Sequence, residues 1–189
     1  MNSILLQTHL GLRSSTLLTA VGTLALLGSL VAQESLRQNA EAAGTDWILG
    51  HWTAKTNEGQ RVTAQFEWQL DGHVVMITFK MNDFLHRGMI YRAADKDQVV
   101  EVGADNQGGR VEGIWSVEGE VLVSRTMRVF PDGQTMRVAN YHSKVDDRTM
   151  EVAPHLVEES GDVAEEPWAT LVFKRQVAAT RPDDKSLSQ

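Results

Sequence analysis

From Asp46 onward, short segments in which apolar and polar residues alternate are separated by clusters of turn residues. Glycine and aspartate recur at these breaks, for example at Asp71-Gly72 and Pro131-Asp132-Gly133. Alternation with a period of two is typical of β-strands that bury one face, and turns at this spacing indicate antiparallel strands in a sandwich or barrel. Ten candidate strands lie between Trp47 and Arg175, so the sequence predicts an all-β domain over residues 46–175.

The segments on either side of Asp71-Gly72 predict a hairpin whose register the pattern itself selects. If Asp71-Gly72 is a two-residue turn, the apolar residues of the two strands face each other. The pairs are Val62 with Met81, Ala64 with Phe79, Phe66 with Ile77, and Trp68 with Val75. A slip of one residue would bring polar Thr78 and Lys80 onto this face. The hairpin is therefore expected to present one wholly apolar face.

A second hairpin is predicted at Asp132-Gly133. A two-residue turn there pairs Val129 with Met136 and Met127 with Val138. The same register places Arg128 opposite Arg137, and like charges directly opposite each other are unfavourable. We expect both arginines to be solvated beside acidic neighbours; the alternative is an anion site.

The first 32 residues contain a single charged residue, Arg13, and then an apolar run that ends in small residues. This order is typical of a secretory signal peptide, and the run is short for a membrane span, which needs about 20 apolar residues. We predict a signal peptide over residues 1–32 with cleavage near Ala32, and hence a periplasmic or extracellular protein; the alternative is an uncleaved membrane anchor. Residues 33–45 predict a short helix or linker closed by Gly44. The polar residues 176–189 predict a disordered tail.

The composition excludes disulfide bonds and argues against nucleic acid as a partner. The chain has 189 residues, no cysteine and a formal net charge of −7, which becomes −8 without Arg13. Without cysteine there can be no disulfide, so a packed core has to stabilise the domain. Lysine and arginine form no cluster, so nucleic acid is not an expected partner, and no integral membrane partner is indicated.

Gly50-His51-Trp52 stands at the first predicted strand, and the last strand ends at Arg175. A Gly-x-Trp on the first strand with a basic residue on the last resembles the pattern of lipocalins and of the wider calycin group. The resemblance implies an up-and-down antiparallel β-barrel in which Trp52, next to Gly50, plugs the closed end. It also implies that Arg175 stacks on the Trp52 ring as a cation–π contact.

Further motifs resemble those of lipocalin-like domains of unknown function in exported bacterial proteins, in particular of planctomycete type. They are Glu112-Gly113-Ile114-Trp115, Pro131-Asp132-Gly133, Asn140 and Asp146-Asp147. This resemblance covers residues 46–175 and implies the fold and export, but no chemistry. Fatty-acid-binding barrels carry a helical lid between their first two strands, and residues 53–60 are too few for one. Haem-binding ten-stranded barrels use a late histidine, for which only His155 is available, so no cofactor is expected.

The sequence holds no motif for catalysis or metal binding. The five histidines after the signal segment form no zinc-ligand spacing, and neither a Gly-x-Ser-x-Gly motif nor a phosphate-binding glycine loop occurs. A polar row is predicted instead: with a turn at Glu118-Gly119, Glu112 lies opposite Arg125, Arg125 opposite Asn140, and His142 follows on the same face. This row is either a cross-strand salt bridge or a set of polar groups that hydrogen-bond to a ligand. The pattern does not decide whether this face or the opposite one points inward.

Three functions remain open. The leading hypothesis is a non-catalytic barrel that binds a small, largely apolar ligand. Its apolar contacts would be Phe66, Trp68, Ile77 and Phe79. A barrel filled by its own side chains would instead be an interaction or envelope-associated domain. An acid–base isomerase or lyase would need Glu112, Arg125 and His142 to converge in a pocket.

Overall fold

Ten antiparallel strands close into one barrel in the computed structural model, which describes residues 34–176. The strands are β1 (Gly50–Lys55), β2 (Arg61–Gln69), β3 (Val74–Met81), β4 (Phe84–Ala93), β5 (Gln98–Asp105), β6 (Arg110–Glu118), β7 (Val121–Val129), β8 (Thr135–Asp146), β9 (Thr149–Leu156) and β10 (Leu171–Arg175). Each strand pairs with its neighbours in sequence, and β1 also pairs with β10. The predicted all-β, up-and-down barrel of about ten strands is confirmed. The predicted signal peptide, residues 1–32, and all but the first residue of the predicted tail lie outside the described residues.

One short helix, α1 (Leu36–Ala42), precedes the barrel, as predicted. It begins with a capping box, in which the Gln38 backbone N–H donates to the Ser35 side chain and the Ser35 backbone N–H donates to the Gln38 side chain. The chain leaves the helix through Gly44, whose φ of 64° favours glycine. A 3₁₀ turn, Asp46–Ile48, then leads into β1. Among residues 34–176, no helix is long and apolar enough to cross a membrane.

The β2–β3 hairpin has the predicted register. Phe66 pairs with Ile77, and the other three predicted apolar pairs are also present. The connection is longer than predicted, because Leu70–Gly72 forms a 3₁₀ turn in which Leu70 and Asp71 adopt positive φ values. The four-residue connection 70–73 is symmetric about the predicted turn, so the pairing of the strands is unchanged.

The β7–β8 hairpin differs from the predicted register by one residue. The Gly133 N–H donates to the Phe130 carbonyl oxygen at 2.9 Å, and the loop holds three residues rather than two. Gly133 has a φ of 86°, which fits a type I turn closed by a glycine in the left-handed region. Arg128 consequently faces Met136, and the predicted pair of Arg128 with Arg137 is wrong.

The β6–β7 hairpin turns at Gly119-Glu120 rather than at Glu118-Gly119. Gly119 adopts a φ of 64°, a conformation that glycine tolerates best, at the first position of this turn. The pairing moves by two residues, so Met127, not Arg125, lies opposite Glu112. The predicted cross-strand pair of Glu112 and Arg125 is therefore wrong.

The strand connections define two ends of the barrel. The base carries helix α1 and the connections 70–73, 94–97, 119–120 and 147–148. The mouth carries the connections 56–60, 82–83, 106–109, 130–134 and 157–170. Alternate side chains of each strand point into the lumen. The seam between β1 and β10 is short, with two facing residue pairs, Trp52 with Arg175 and Thr53 with Lys174.

Candidate functional site

The base of the barrel is closed by Trp52 and Arg175. Trp52 is 1% exposed, and its indole N–H donates to the carbonyl oxygen of Ile48 at 2.7 Å. The guanidinium carbon of Arg175 lies 4.1 Å from the centre of the Trp52 ring, and the group also donates to carbonyl oxygens in segment 47–49. Gly50 has a φ of 106°, and a Cβ atom there would lie 2.8 Å from the Arg175 guanidinium. The stacked arrangement that the resemblance implied is thus present.

The barrel encloses a main cavity of about 610 Å³ that extends inward from the mouth. Known small-molecule pockets have volumes of roughly 300–1,000 Å³. The wall formed by β2, β3, β9 and β10 is apolar. Its lining residues are Ala64, Phe66, Ile77, Phe79, Met81, Met150, Val152, Pro154, Leu171 and Phe173. Three of the four predicted apolar contacts, Phe66, Ile77 and Phe79, therefore line this cavity.

A second cavity, of about 260 Å³, lies at the base between α1 and the strands. Trp68, the fourth predicted apolar contact, lines this smaller cavity. Phe66 of β2 and Trp115 of β6 line both cavities, and their rings form an edge-to-face pair with centres 6.2 Å apart. These two rings separate the base cavity from the main cavity.

A polar cluster lies on the wall formed by β4–β8. Glu101 is 4% exposed, and its two carboxyl oxygens accept hydrogen bonds from Trp115 Nε1 at 2.9 Å and from His86 Nε2 at 3.2 Å. His86 is buried too, and its Nδ1 has no hydrogen-bond partner within residues 34–176. The cluster joins three neighbouring strands through side chains that point into the barrel.

Two glycines provide the space for His86. A Cβ atom on Gly103 would lie 2.5 Å from His86 Cε1 and 2.6 Å from the Arg87 carbonyl oxygen. A Cβ atom on Gly88 would lie 3.1 Å from His86 Nε2. Gly88 and Gly103 face each other on β4 and β5, so the imidazole lies on a part of the wall without side chains. This shelf holds the ring beside Glu101.

His142, one of the predicted polar residues, points into the main cavity. Its ring stacks on Trp115 with centres 5.0 Å apart, and its Nδ1–H donates to the Leu122 carbonyl oxygen at 3.1 Å. Burial lowers the pKa of His142 from 6.5 to about 4, although the bond to Leu122 and the charge of Glu101 act in the opposite direction. His142 is therefore neutral at pH 7, and its Nε2 is a hydrogen-bond acceptor.

Asn140, another predicted polar residue, lines the same wall. Its Nδ2 donates to Ser124 Oγ at 3.1 Å, across the β7–β8 pair. One N–H of the amide group is thereby engaged, and the carbonyl oxygen of Asn140 remains an acceptor.

Arg128 and Asp105 form an ion pair at the mouth. Arg128 Nε and Nη2 lie 2.9 and 2.8 Å from Asp105 Oδ2, and the guanidinium carbon lies 4.8 and 4.4 Å from the ring centres of Phe84 and Phe130. The Asp105 side chain is inaccessible, and its Oδ1 accepts two backbone N–H bonds from the 106–109 turn. Burial acts to raise the pKa of Asp105, but these backbone bonds and Arg128 lower it on balance.

Glu112 and Arg125 lie on the outer surface, whereas Asn140 and His142 point inward. The cause is the three-residue loop between β7 and β8, since a shift of one residue moves a side chain to the other face. Arg125 bonds to Glu118 on this outer surface. The predicted polar row is therefore wrong, and the three residues of the predicted acid–base site do not converge.

Glu101 and His86 are absent from the residues that the sequence predicts for the site. On β5 the alternation favours the opposite face, yet the apolar Val102 is 37% exposed and Glu101 is buried. The glycines at positions 88 and 103 were the available signal, because a glycine inside a strand indicates close approach of another group.

The outer surface holds His155, the late histidine considered for haem. Its ring contacts Tyr141, with ring centres 5.0 Å apart, and its Nδ1 lies 2.7 Å from the Ala164 carbonyl oxygen. In the part of the chain that the structure describes, no three histidine, aspartate or glutamate residues are grouped so as to hold a metal ion.

The lumen is the candidate site, with an apolar wall on one side and a polar wall on the other. A comparison with models of protein families gave no match, and a comparison with curated proteins gave none either. The function is therefore inferred from the geometry of the lumen.

Proposed function

We propose that this protein is an exported, lipocalin-like barrel that binds a small, largely apolar ligand in its main cavity without catalysing a reaction. The observation that carries the proposal is the cavity of about 610 Å³, whose lining is mostly apolar. An apolar ligand in this space would remove its own surface and that of the lining side chains from water, which is favourable. Phe66, Ile77 and Phe79 would supply apolar contacts, and Asn140 and His142 polar ones.

Two observations favour binding over the other functions. A packed interaction domain would fill the lumen with its own side chains, and the cavity volume argues against such filling. An isomerase or lyase built on Glu112, Arg125 and His142 would need these groups in one pocket, and two of them lie outside the barrel. The stacked pair of Trp52 and Arg175 supports the lipocalin-like assignment, and the pattern of residues 1–32 supports export.

Fluorescence titration with N-phenyl-1-naphthylamine, a neutral dye that brightens in apolar surroundings, tests the proposal. We expect saturable binding by the wild type. Val138 lines the main cavity, so Val138→Trp should fill part of it and weaken dye binding by about tenfold or more. Val145→Trp is the matched control, because it makes the same change on the same strand at a side chain that is 60% exposed.

The two variants make the result specific to the lumen. Absence of saturable binding by the wild type would contradict the proposal, as would an equal loss of affinity in Val138→Trp and Val145→Trp. If the dye binds as expected, native mass spectrometry of the protein purified from its own host gives the mass of any retained ligand.

A further inference from the structure

We infer that the lumen selects uncharged ligands that donate a hydrogen bond and that it excludes carboxylates, an inference that rests on the proposed binding function. Two features of the main cavity carry it. The cation at the mouth is already neutralised by a buried partner, and the polar wall offers acceptors deeper in the lumen.

Arg128 is the cation in question. Among the described residues it is the only lysine or arginine that lines the main cavity. Its guanidinium bonds to Asp105 through Nε and Nη2, and Nη2 also donates to Gln107 Oε1 at 3.1 Å. Its position against Phe84 and Phe130 further restricts the group. A ligand carboxylate would therefore leave water without gaining an unpaired cation, which is strongly unfavourable.

The polar wall offers hydrogen-bond acceptors that suit an uncharged ligand with a hydroxyl or N–H group. Asn140 uses one of its two amide N–H groups and His142 uses Nδ1–H, and the Asn140 carbonyl oxygen and Nε2 of His142 remain as acceptors. Each Glu101 oxygen already accepts one hydrogen bond, from Trp115 or from His86, so an ammonium group would give up its hydration for a carboxylate that is only partly available. A hydroxyl or amide N–H satisfies the free acceptors without bringing a charge into the lumen.

Displacement of N-phenyl-1-naphthylamine at neutral pH by four compounds of matched shape tests this selectivity. The competitors are 2-naphthalenemethanol, 2-naphthoate, 2-naphthylmethylamine and 2-methylnaphthalene. We expect the alcohol to bind roughly tenfold more tightly than the hydrocarbon, for one added hydrogen bond. We expect it to bind on the order of 100-fold more tightly than the carboxylate or the ammonium, which lose their hydration.

The outcomes separate the selectivity from the binding function. If 2-naphthoate or the amine binds as tightly as the alcohol, or if the alcohol binds no better than the hydrocarbon, the inferred selectivity is overturned while the binding function stands. If neither the dye nor any of the four compounds binds, the proposed function itself fails.

Asp105→Asn tests the neutralised cation directly. Asparagine keeps an oxygen for the backbone N–H groups of the 106–109 turn but removes the negative charge, so Arg128 becomes available to a ligand anion. The ratio of naphthoate affinity to alcohol affinity should then rise by about tenfold or more. Asp132→Asn is the matched control, because Asp132 Oδ1 likewise accepts a backbone N–H, from Gln134 at 3.0 Å, in an exposed turn at the mouth.

An unchanged affinity ratio in folded Asp105→Asn protein, or an equal rise in Asp132→Asn, would overturn the role given to the ion pair. Circular dichroism and the unfolding midpoint establish that each variant is folded. The comparison of the four compounds uses the wild type, so it decides the selectivity even if Asp105→Asn does not fold.

Discussion

Replacing Trp52 by alanine tests whether the base of the barrel depends on this one side chain. Trp52 is 1% exposed, its indole N–H bonds to Ile48, and its ring supports the guanidinium of Arg175 at 4.1 Å. Truncation removes the buried ring, leaves the Ile48 carbonyl oxygen without this donor, and takes away the surface on which the Arg175 guanidinium stacks. Loss of a large buried aromatic side chain costs about 3–5 kcal/mol, a substantial part of the total of about 5–15 kcal/mol that stabilises a typical domain.

Urea denaturation followed by far-ultraviolet circular dichroism measures this cost. Trp168→Ala is the matched control, because the same residue type is 51% exposed there and its loss should cost less than about 1 kcal/mol. Trp52→Phe should fall between the two, at about 1–2 kcal/mol, because it keeps most of the packing but loses the indole N–H bond. If Trp52→Ala and Trp168→Ala unfold at the same urea concentration, the base does not depend on Trp52 and the reasoning is wrong.

Three further predictions follow from other parts of the molecule. Burial lowers the pKa of His142 to about 4 from 6.5, so the native state binds fewer protons than the unfolded chain between these values and stability falls as the pH drops through that window. Between pH 7 and pH 5, the unfolding free energy of the wild type should therefore fall by about 2 kcal/mol more than that of His142→Gln, and equal slopes would contradict a buried neutral imidazole. Gly103→Ala should lower stability by about 1–3 kcal/mol through overpacking against His86, and an unchanged urea midpoint would show that the glycine shelf is not needed. Residues 1–32, fused to a reporter that is active only in the periplasm, should direct secretion and be removed; soluble cytoplasmic protein with an intact Met1 would contradict export.

Hairpin registers were predictable where one face of both strands is wholly apolar. In β2–β3, a slip of one residue would have brought polar Thr78 and Lys80 onto the apolar face, so the pattern determined the pairing even though the turn type was misjudged. In β7–β8, the predicted register pairs Met127 with Val138, whereas the observed one pairs Met127 with Arg137. The apolar pattern therefore favours the wrong register, and the loop length decides. Gly133 adopts the left-handed conformation and adds one residue to the loop. The pattern of apolar positions contains no sign of this extra residue.

The polar wall of the lumen was harder to predict for a physical reason. Sequence patterns assume that the apolar face of a strand is the buried one, and a binding cavity with polar groups reverses this rule locally. Glu101 is inside and Val102 outside because the carboxyl group finds Trp115 and His86 as partners in the lumen. Those partners lie on other strands, so the compensation becomes visible only when the strands have been placed side by side.

The short seam between β1 and β10 sets the order in which the barrel can assemble. The other nine seams join strands that follow one another in the chain, whereas this one joins the first strand to the last. Hairpins form early because the loops that they close are short, while a contact between distant segments carries a larger entropic cost and forms late. During synthesis, β1 keeps an unpaired edge until the five residues of β10 have been added, and such an edge can pair with another chain. The last strand therefore ends the period in which the growing sheet is open to aggregation.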